Sequence, residues 1–426
     1  MDTLKTLGFA YRRRLADTLV QEYLAAAGAV LIEGPRACGK TMTAMNAAAS
    51  FALFDDPATF ELTQIAPDKV LEGAKPKLLD EWQIAPTMWN LVRRKVDMTP
   101  GKGLFILTGS AVPADDTTRH TGAGRILRLR QRTLTWFEKL GAGELEGVTL
   151  AGLFDGKVPS ADLSSPMTYS GVVRELVRPG FPALTDLQPK QAFRLLRDFI
   201  DEVARADLPR LVDLRHDPTV IGRLIVALAR SVASDVSFAT LAKDLRNLAP
   251  SIRPQTVASY VAALERLFVV EPQGAWTPRL RSRARLRRAA KFHLADPALA
   301  AAALGVDAAG LEEDPQTVGL LFESAVIHDL RVLADLIDGE VRHFRDSNGY
   351  EIDAVVTLPN GRWGAVEVKL GSGQIGEGAR SLARAVEQLG PEAKTKLAFR
   401  LVISGTGPTL VMDDGTVTCP LAALRP

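Results

Sequence analysis

A glycine-bracketed loop ending in Lys-Thr constrains this chain more than any other feature. In Gly34-Pro35-Arg36-Ala37-Cys38-Gly39-Lys40-Thr41, two glycines flank four residues. The apolar run Ala29-Val30-Leu31-Ile32 leads in, and an Ala/Met-rich stretch over residues 42–49 leads out. Strand, glycine loop and helix in that order are the context of a phosphate-binding P-loop. Such a loop wraps a polyphosphate with backbone N–H groups, and the helix N-terminus adds partial positive charge. The spacing assigns Lys40 to the terminal phosphates and the Thr41 hydroxyl to a Mg²⁺ ion, which makes ATP with Mg²⁺ the expected cofactor pair.

A length of 426 residues is too great for one core and predicts several domains. The net charge of +2 gives no global field for nucleic acid, so any basic site is local. Cys38 and Cys419 are the two cysteines, too few for a disulfide framework. No stretch reaches the roughly 18 apolar residues of a membrane span. The amino terminus opens no long apolar run, so a cytoplasmic protein without membrane attachment is expected.

Residues 1–150 read as the P-loop domain. Tyr11 to Ala27 has helical periodicity, with Leu15, Leu19, Val20 and Leu24 on one side. Short apolar runs recur at Phe51-Ala52-Leu53-Phe54, Lys77-Leu78-Leu79-Asp80-Glu81 and Leu104-Phe105-Ile106-Leu107-Thr108. Separated by helical stretches, they predict a parallel sheet covered on both faces. The acids closing the third run fit an ATPase: Asp80 in the Mg²⁺ shell and Glu81 polarising the attacking water. Thr108 and Ser110, on the neighbouring strand end, are candidates for contact near the γ-phosphate.

The stretches Leu78-Leu79-Asp80-Glu81-Trp82-Gln83, Ile106-Leu107-Thr108-Gly109-Ser110 and Gly124-Arg125 resemble a prokaryotic ATPase family of the AAA+ class. That family pairs its ATPase with a carboxy-terminal domain called DUF4143. Phe54-Asp55-Asp56-Pro57 is similar to its second-strand signature, whereas Arg132-Thr133-Leu134-Thr135 departs from its usual Pro-Leu-Ser segment. Arg125 has two readings: an arginine finger acting on the transferring phosphoryl group of its own chain or a neighbour's, or one of several pairing arginines.

Residues 151–225 read as a helical linker or lid and 226–300 as a winged-helix domain, a module the resemblance also implies. Phe238 to Leu245, with Ser237 as N-cap, and Gln255 to Glu265 form a helix-turn-helix pattern. Beyond it, Arg279, Arg281, Arg283, Arg285 and Arg287 alternate without an intervening acid. In an extended strand they share one face, suited either to a DNA backbone or to acids elsewhere in the chain. An oligomer or a protein partner is compatible with both.

Residues 301–426 end the chain. Glu323 lies in an apolar helical stretch, Asp353 in the strand Tyr350-Glu351-Ile352-Asp353, and Glu367-Val368-Lys369 closes the strand that forms a hairpin with it. Glu367 and Lys369 share a face. These residue types resemble both the PD-(D/E)XK nuclease core and the DUF4143 signature. The resemblance implies Mg²⁺ on Asp353 and Glu367, catalytic roles for Glu323, Asp353, Glu367 and Lys369, and water activation by Lys369. A cross-strand ion pair, or a nuclease-like fold kept for binding alone, is the alternative. The expected fold is α/β and multidomain. The expected function is an ATPase coupled to DNA engagement, or a nucleotide-gated regulator that does not cut.

Overall fold

The apolar runs of the first 130 residues form the sheet their pattern predicts. The structure, a computed structural model, describes residues 10–110, 121–141, 147–164, 167–212, 217–278 and 290–426. The arginine-rich run at 279–287 lies outside the described residues. The chain divides into two compact units. One comprises residues up to Thr133 with Phe181–Ala183 and Ala263–Val269; the other holds Leu134–Gly180, Leu184–Ala262 and Val270–Pro426.

The first unit is built on β1 (Ala29–Glu33), β2 (Ser50–Leu53), β3 (Lys77–Asp80), β4 (Phe105–Gly109) and β5 (Ile126–Arg130). They pair in parallel in the order β2-β3-β4-β1-β5. Leu31, Leu79, Phe105 and Leu107 join Trp82, Met88, Trp89 and Val92 in one core. Val30, Ile32, Leu78 and Ile106 are equally buried. Burial of successive strand residues follows when both faces are covered. Parallel pairing also aligns the carboxyl ends of β1, β3 and β4, so the loops after them share one edge, where ligands of open α/β sheets bind. The helix expected from Tyr11 begins only at Ala16. The Asp17 carboxylate accepts the Arg14 N–H at 2.9 Å and the Tyr11 hydroxyl, which holds residues 11–14 outside the helix.

In the second unit, β6 (Val148–Thr149) leads to a run of helices. The helix Pro218–Arg230 is capped by Asp217, which accepts the Thr219 N–H at 2.8 Å. Phe238–Leu245 is capped by Ser237, as its sequence predicts, with the Thr240 N–H donating at 3.1 Å. Pro254–Arg266 follows, its residues from Ala263 on counted with the first unit. Then β7 (Val270–Gln273) and β8 (Lys291–Leu294) pair antiparallel.

The last part follows the helix Pro315–Asp335 with β9 (Glu340–Arg345), β10 (Glu351–Thr357), β11 (Trp363–Lys369), helix Ile375–Glu387, β12 (Leu397–Ser404), β13 (Leu410–Val411), β14 (Val417–Pro420) and β15 (Leu424–Arg425). Six of these strands form the sheet β13-β14-β12-β11-β10-β9, and β15 pairs with β6. β9, β10 and β11 form an antiparallel meander, and β12 joins β11 in parallel through the helix Ile375–Glu387. Trp363, Ala365 and Ile352 pack with Leu382 and Val386 of that helix. The segments 151–225, 226–300 and 301–426 thus fall almost wholly within one unit.

Candidate functional sites

In the first unit the P-loop is tied down from behind. A Cβ on Gly34 would come within 2.0 Å of the Gln131 carbonyl oxygen, so the chain passes β5 only as glycine. Gly39, at φ 96°, starts the helix Lys40–Ala47 in the left-handed region that glycine occupies without strain. Cys38 is buried, and its carbonyl accepts the Arg14 guanidinium at 2.8 Å and the Gln131 amide at 3.2 Å. Arg14 also donates to the carbonyls of Arg132 and Thr133. Arg14 and Gln131 were not among the residues singled out from sequence. Their role depends on where β5 ends, which no motif encodes.

The buried Lys40 ammonium donates to the Pro35 carbonyl at 2.9 Å. The Thr41 hydroxyl donates to Asp80 Oδ1 at 2.9 Å, and the Thr108 hydroxyl donates to the same oxygen. Burial pushes the Asp80 carboxyl above its ordinary range, while those two hydroxyls pull it back. Asp80 and Thr41 fit a Mg²⁺ site of the kind that takes few protein ligands and otherwise keeps waters and phosphate oxygens. Glu81 follows with φ 54°, a left-handed conformation uncommon for a side-chain residue. Its N–H donates to Thr108 Oγ1 at 3.1 Å. Its carboxylate Oε2 accepts the Ser110 hydroxyl at 3.1 Å and the Gln83 amide. Lys40, Thr41, Asp80, Glu81, Thr108 and Ser110 therefore gather at one edge of the sheet, with Gln83 as an added member.

Arg125 does not join them. It precedes β5, and its carbonyl accepts the Ala29 N–H at the amino-terminal end of β1, the edge opposite the P-loop. At about 3.3 Å per residue along a five-residue strand, that separates it from the loop by more than 10 Å. Its guanidinium pairs with Asp97 at 2.7 Å. The arginine-finger role toward the P-loop of its own chain is corrected accordingly, because parallel pairing fixes opposite ends of the strands apart.

In the second unit, Glu323, Asp353, Glu367 and Lys369 are brought into one electrostatic cluster, but with companions. The buried Lys291 of β8 donates to Glu323 Oε1 at 2.9 Å and to Glu351 Oε1 at 2.8 Å. Lys369 holds Glu367 Oε1 at 3.0 Å. Asp353 Oδ2 accepts the Val368 N–H at 2.8 Å across the β10–β11 hairpin. The helix Ile375–Glu387 lies so near that a Cβ on Gly378 would meet Lys369 Cγ at 3.0 Å and Glu367 Cγ at 3.4 Å. Burial, followed by the charge of Asp353, pushes the Glu323 and Glu367 carboxyls up to about 8. Burial likewise raises Asp353, and the surrounding acids hold Lys291 and Lys369 above the usual lysine range.

This cluster does not fit the Mg²⁺ role expected of Asp353 and Glu367. Ammonium groups already occupy Glu323, Glu351 and Glu367. Among the described residues no three His, Cys, Asp or Glu side chains stand together in a metal-holding arrangement. Lys291 and Glu351 are not among the candidate site residues, although Lys291 opens a segment resembling one of the family's and Glu351 supplies the Glu of its Glu-x-Asp signature. Lys291 sits in the Lys-x-x-x-x-Asp stretch before Asp296, where only tertiary pairing reveals its partners. Further buried polar contacts join the β7–β8 hairpin to the same elements. His293 meets Ser324 at 3.1 Å and Gln273 at 3.2 Å, and the Gln273 amide donates to the Asp353 carbonyl at 2.8 Å. Burial holds the His293 ring well below its usual pKa, hence neutral.

The parallel sheet, the P-loop after β1 and the acid pair after β3 define a P-loop ATPase fold of the AAA class. Comparison with protein families agrees: residues 26–140 match a family described as an AAA domain. Residues 318–424 match the domain of unknown function DUF4143, and residues 171–310 match another, DUF8612. An AAA-domain match followed by a carboxy-terminal DUF4143 match is the arrangement that the sequence resemblance implied.

Among solved structures, a Walker-type ATPase of Pyrococcus abyssi aligns at 11% identity and TM-score 0.36, over 69% of this chain and 96% of that one. AMPPCP-bound DnaA from Aquifex aeolicus aligns at 16% identity and TM-score 0.22, over 62% and 91%. A multidomain signal-transduction ATPase with a tetratricopeptide repeat sensor, from Pyrococcus horikoshii, aligns at 12% identity and TM-score 0.20, over 78% and 49%. Comparison with curated proteins gives no match. Among the described residues no helix is long and apolar enough to cross a membrane.

Proposed function

We propose that the chain is a Mg²⁺-dependent ATP hydrolase whose nucleotide cycle controls engagement of DNA. The observation that carries the hydrolase reading is the convergence of the Thr41 and Thr108 hydroxyls on one Asp80 oxygen, beside Glu81. Gly34 to Thr41 cradle the phosphates, and the Lys40 ammonium exchanges its Pro35 carbonyl for phosphate oxygens. Thr41 and Asp80 would hold Mg²⁺, which supplies neutralisation of charge on the phosphates. Glu81 orients the attacking water and takes up its proton. Ser110 and Gln83 fix the carboxylate doing so, and Thr108 anchors the Glu81 backbone. Steady-state phosphate release tests this reading. Wild-type protein is expected to hydrolyse ATP, whereas Lys40→Ala and Glu81→Gln do so far more slowly. Hydrolysis unchanged in Lys40→Ala removes the assignment.

DNA engagement rests on the helices Phe238–Leu245 and Pro254–Arg266 followed by the β7–β8 pair, an order that supports a winged helix. The segment joining β7 to β8 contains Arg279, Arg281, Arg283, Arg285 and Arg287, at strand spacing for phosphate contact. Replacing all five by Gln is expected to weaken duplex binding and flatten its salt dependence. Wild-type affinity that is indifferent to salt points instead to a protein partner.

One observation favours a second reading of the carboxy-terminal domain. The order helix, three-strand meander, helix, parallel strand supports a nuclease-like fold, yet its carboxylates are held by lysines. A nucleotide-gated regulator that binds without cutting accounts for both. A Mg²⁺ or Mn²⁺ cleavage assay on wild type, Asp353→Ala and Lys369→Ala separates the readings. Cleavage by wild type alone restores the nuclease.

A further inference from the structure

The cluster around Asp353 does not suit a divalent cation, and the same geometry points to what neutralises it. We propose that the Lys291 ammonium is the resident cation of this site, standing in place of a metal ion. The inference concerns the second unit alone and stands apart from the ATP hydrolase reading.

Lys291 is fixed by its backbone before its side chain is considered. It pairs with Gln273 across the β7–β8 ladder and makes an antiparallel bridge to Asp235 on its other side. Held there, the side chain is 4% exposed. An ammonium carries three donors and no acceptor, and desolvating it is expensive unless carboxylates surround it. Glu323 and Glu351 each supply one oxygen, at 2.9 and 2.8 Å. The helix, β10 and β8 therefore meet at one nitrogen. A Mg²⁺ ion would require oxygens at about 2.0–2.1 Å in octahedral geometry, whereas one oxygen each of Glu323 and Glu351 is already paired with the ammonium.

The remaining acids are committed in the same manner. Lys369 neutralises Glu367, and Asp353 Oδ2 is turned onto the Val368 N–H. The cluster as a whole holds Glu323, Glu351, Asp353 and Glu367 against Lys291 and Lys369. Its four carboxyls outnumber its two ammoniums, so loss of Lys291 leaves Lys369 as the remaining ammonium against them. A divalent ion matches that vacancy in charge and ligand type. The site then functions as a metal-independent clasp between the β7–β8 hairpin and the carboxy-terminal sheet.

The test uses full-length, nucleotide-free protein and Mn²⁺ as the probe, read by thermal unfolding and by titration calorimetry. Wild type is expected to show no Mn²⁺ response that Asp353→Asn removes. Lys291→Met is expected to unfold roughly 10 °C lower without metal and to recover part of that loss with Mn²⁺. The recovery should vanish in the double variant Lys291→Met, Asp353→Asn. A wild-type Mn²⁺ site abolished by Asp353→Asn overturns the proposal, as does a folded Lys291→Met protein indifferent to Mn²⁺. Should Lys291→Met fail to fold, the comparison of wild type with Asp353→Asn still decides. Nucleotide is absent throughout, so the result is independent of whether ATP is hydrolysed.

Discussion

Each unit buries a lysine within a functional-looking cluster, and the two lysines are treated in opposite ways. Lys40 rests on a neutral backbone carbonyl, Pro35, at the head of a loop shaped for phosphate. Its neighbour Asp80 is held by two hydroxyls, partners that a metal ion displaces at little expense. Lys291 instead lies between two carboxylates, and Lys369 on a third. The first arrangement leaves charge uncommitted and so invites a polyphosphate and its cation. The second neutralises charge internally and offers a ligand little. Identical residue types therefore define a site in one place and a clasp in the other, and the partner atom makes the difference.

Four outcomes bear on that contrast, the largest first. Lys40→Ala should lower ATP hydrolysis by at least about a hundredfold, since a pre-organised cation at the phosphates is worth several kcal/mol in the transition state. Phosphate release measures it, and a small effect would make Lys40 as structural as Lys291. Glu81→Gln should reduce turnover by about 10²–10⁴-fold while nucleotide binding persists, the range for removing a general base. A fluorescent ATP analogue checks the second half. Equal loss of binding and turnover would move Glu81 from chemistry to architecture.

Lys291→Met should leave hydrolysis intact in any unit that stays folded and destabilise the protein by about 3–5 kcal/mol, as expected for breaking a buried pair. Denaturant unfolding reads it. The smallest effect is a pH trend. Burial raises the Glu323 and Glu367 carboxyls to about 8, against an ordinary value near 4.3 when unfolded. Between these values the folded state holds protons that the unfolded state has released. Stability is therefore full below the unfolded value and declines as pH rises through about 8. Glu323→Gln should flatten the decline in melting temperature. A profile that rises across that window would mean these carboxylates are solvated, and the contrast with the P-loop would fail. Arg125→Ala, by comparison, should change neither hydrolysis by an isolated chain nor its melting temperature, because the Arg125–Asp97 pair is exposed and far along the sheet.

Much of the first unit was legible in sequence because its signals are local. Short apolar runs gave the strands, and a glycine loop between strand and helix gave the P-loop. Asp80-Glu81 announced itself by closing such a run. Boundaries moved where side chains intervened, by five residues at the start of the first helix. The helix expected at Tyr11 starts at Ala16 because Asp17 captures the residues before it. In the second unit the helix caps at Ser237 and the β10–β11 hairpin were equally readable.

Arg125 and Lys291 mark the limit of that reading. Arg125 lies one residue after a motif glycine, yet strand direction alone sends it to the far edge of the sheet. Lys291 opens a segment, Lys291 to Pro297, that resembles one of the family's, yet that segment does not name its partners, which lie 32 and 60 residues further along the chain. Residue type and spacing determined that this protein has a strand-loop-helix cradle, acids at its edge and a Glu-x-Lys hairpin. Periodicity and turn chemistry act within a few residues, so they suffice for such features. Whether an acid faces a hydroxyl, a metal or an ammonium is set by charges distant in sequence and adjacent in space. Only the tertiary structure decided that, since burial makes each such pairing a matter of several kcal/mol.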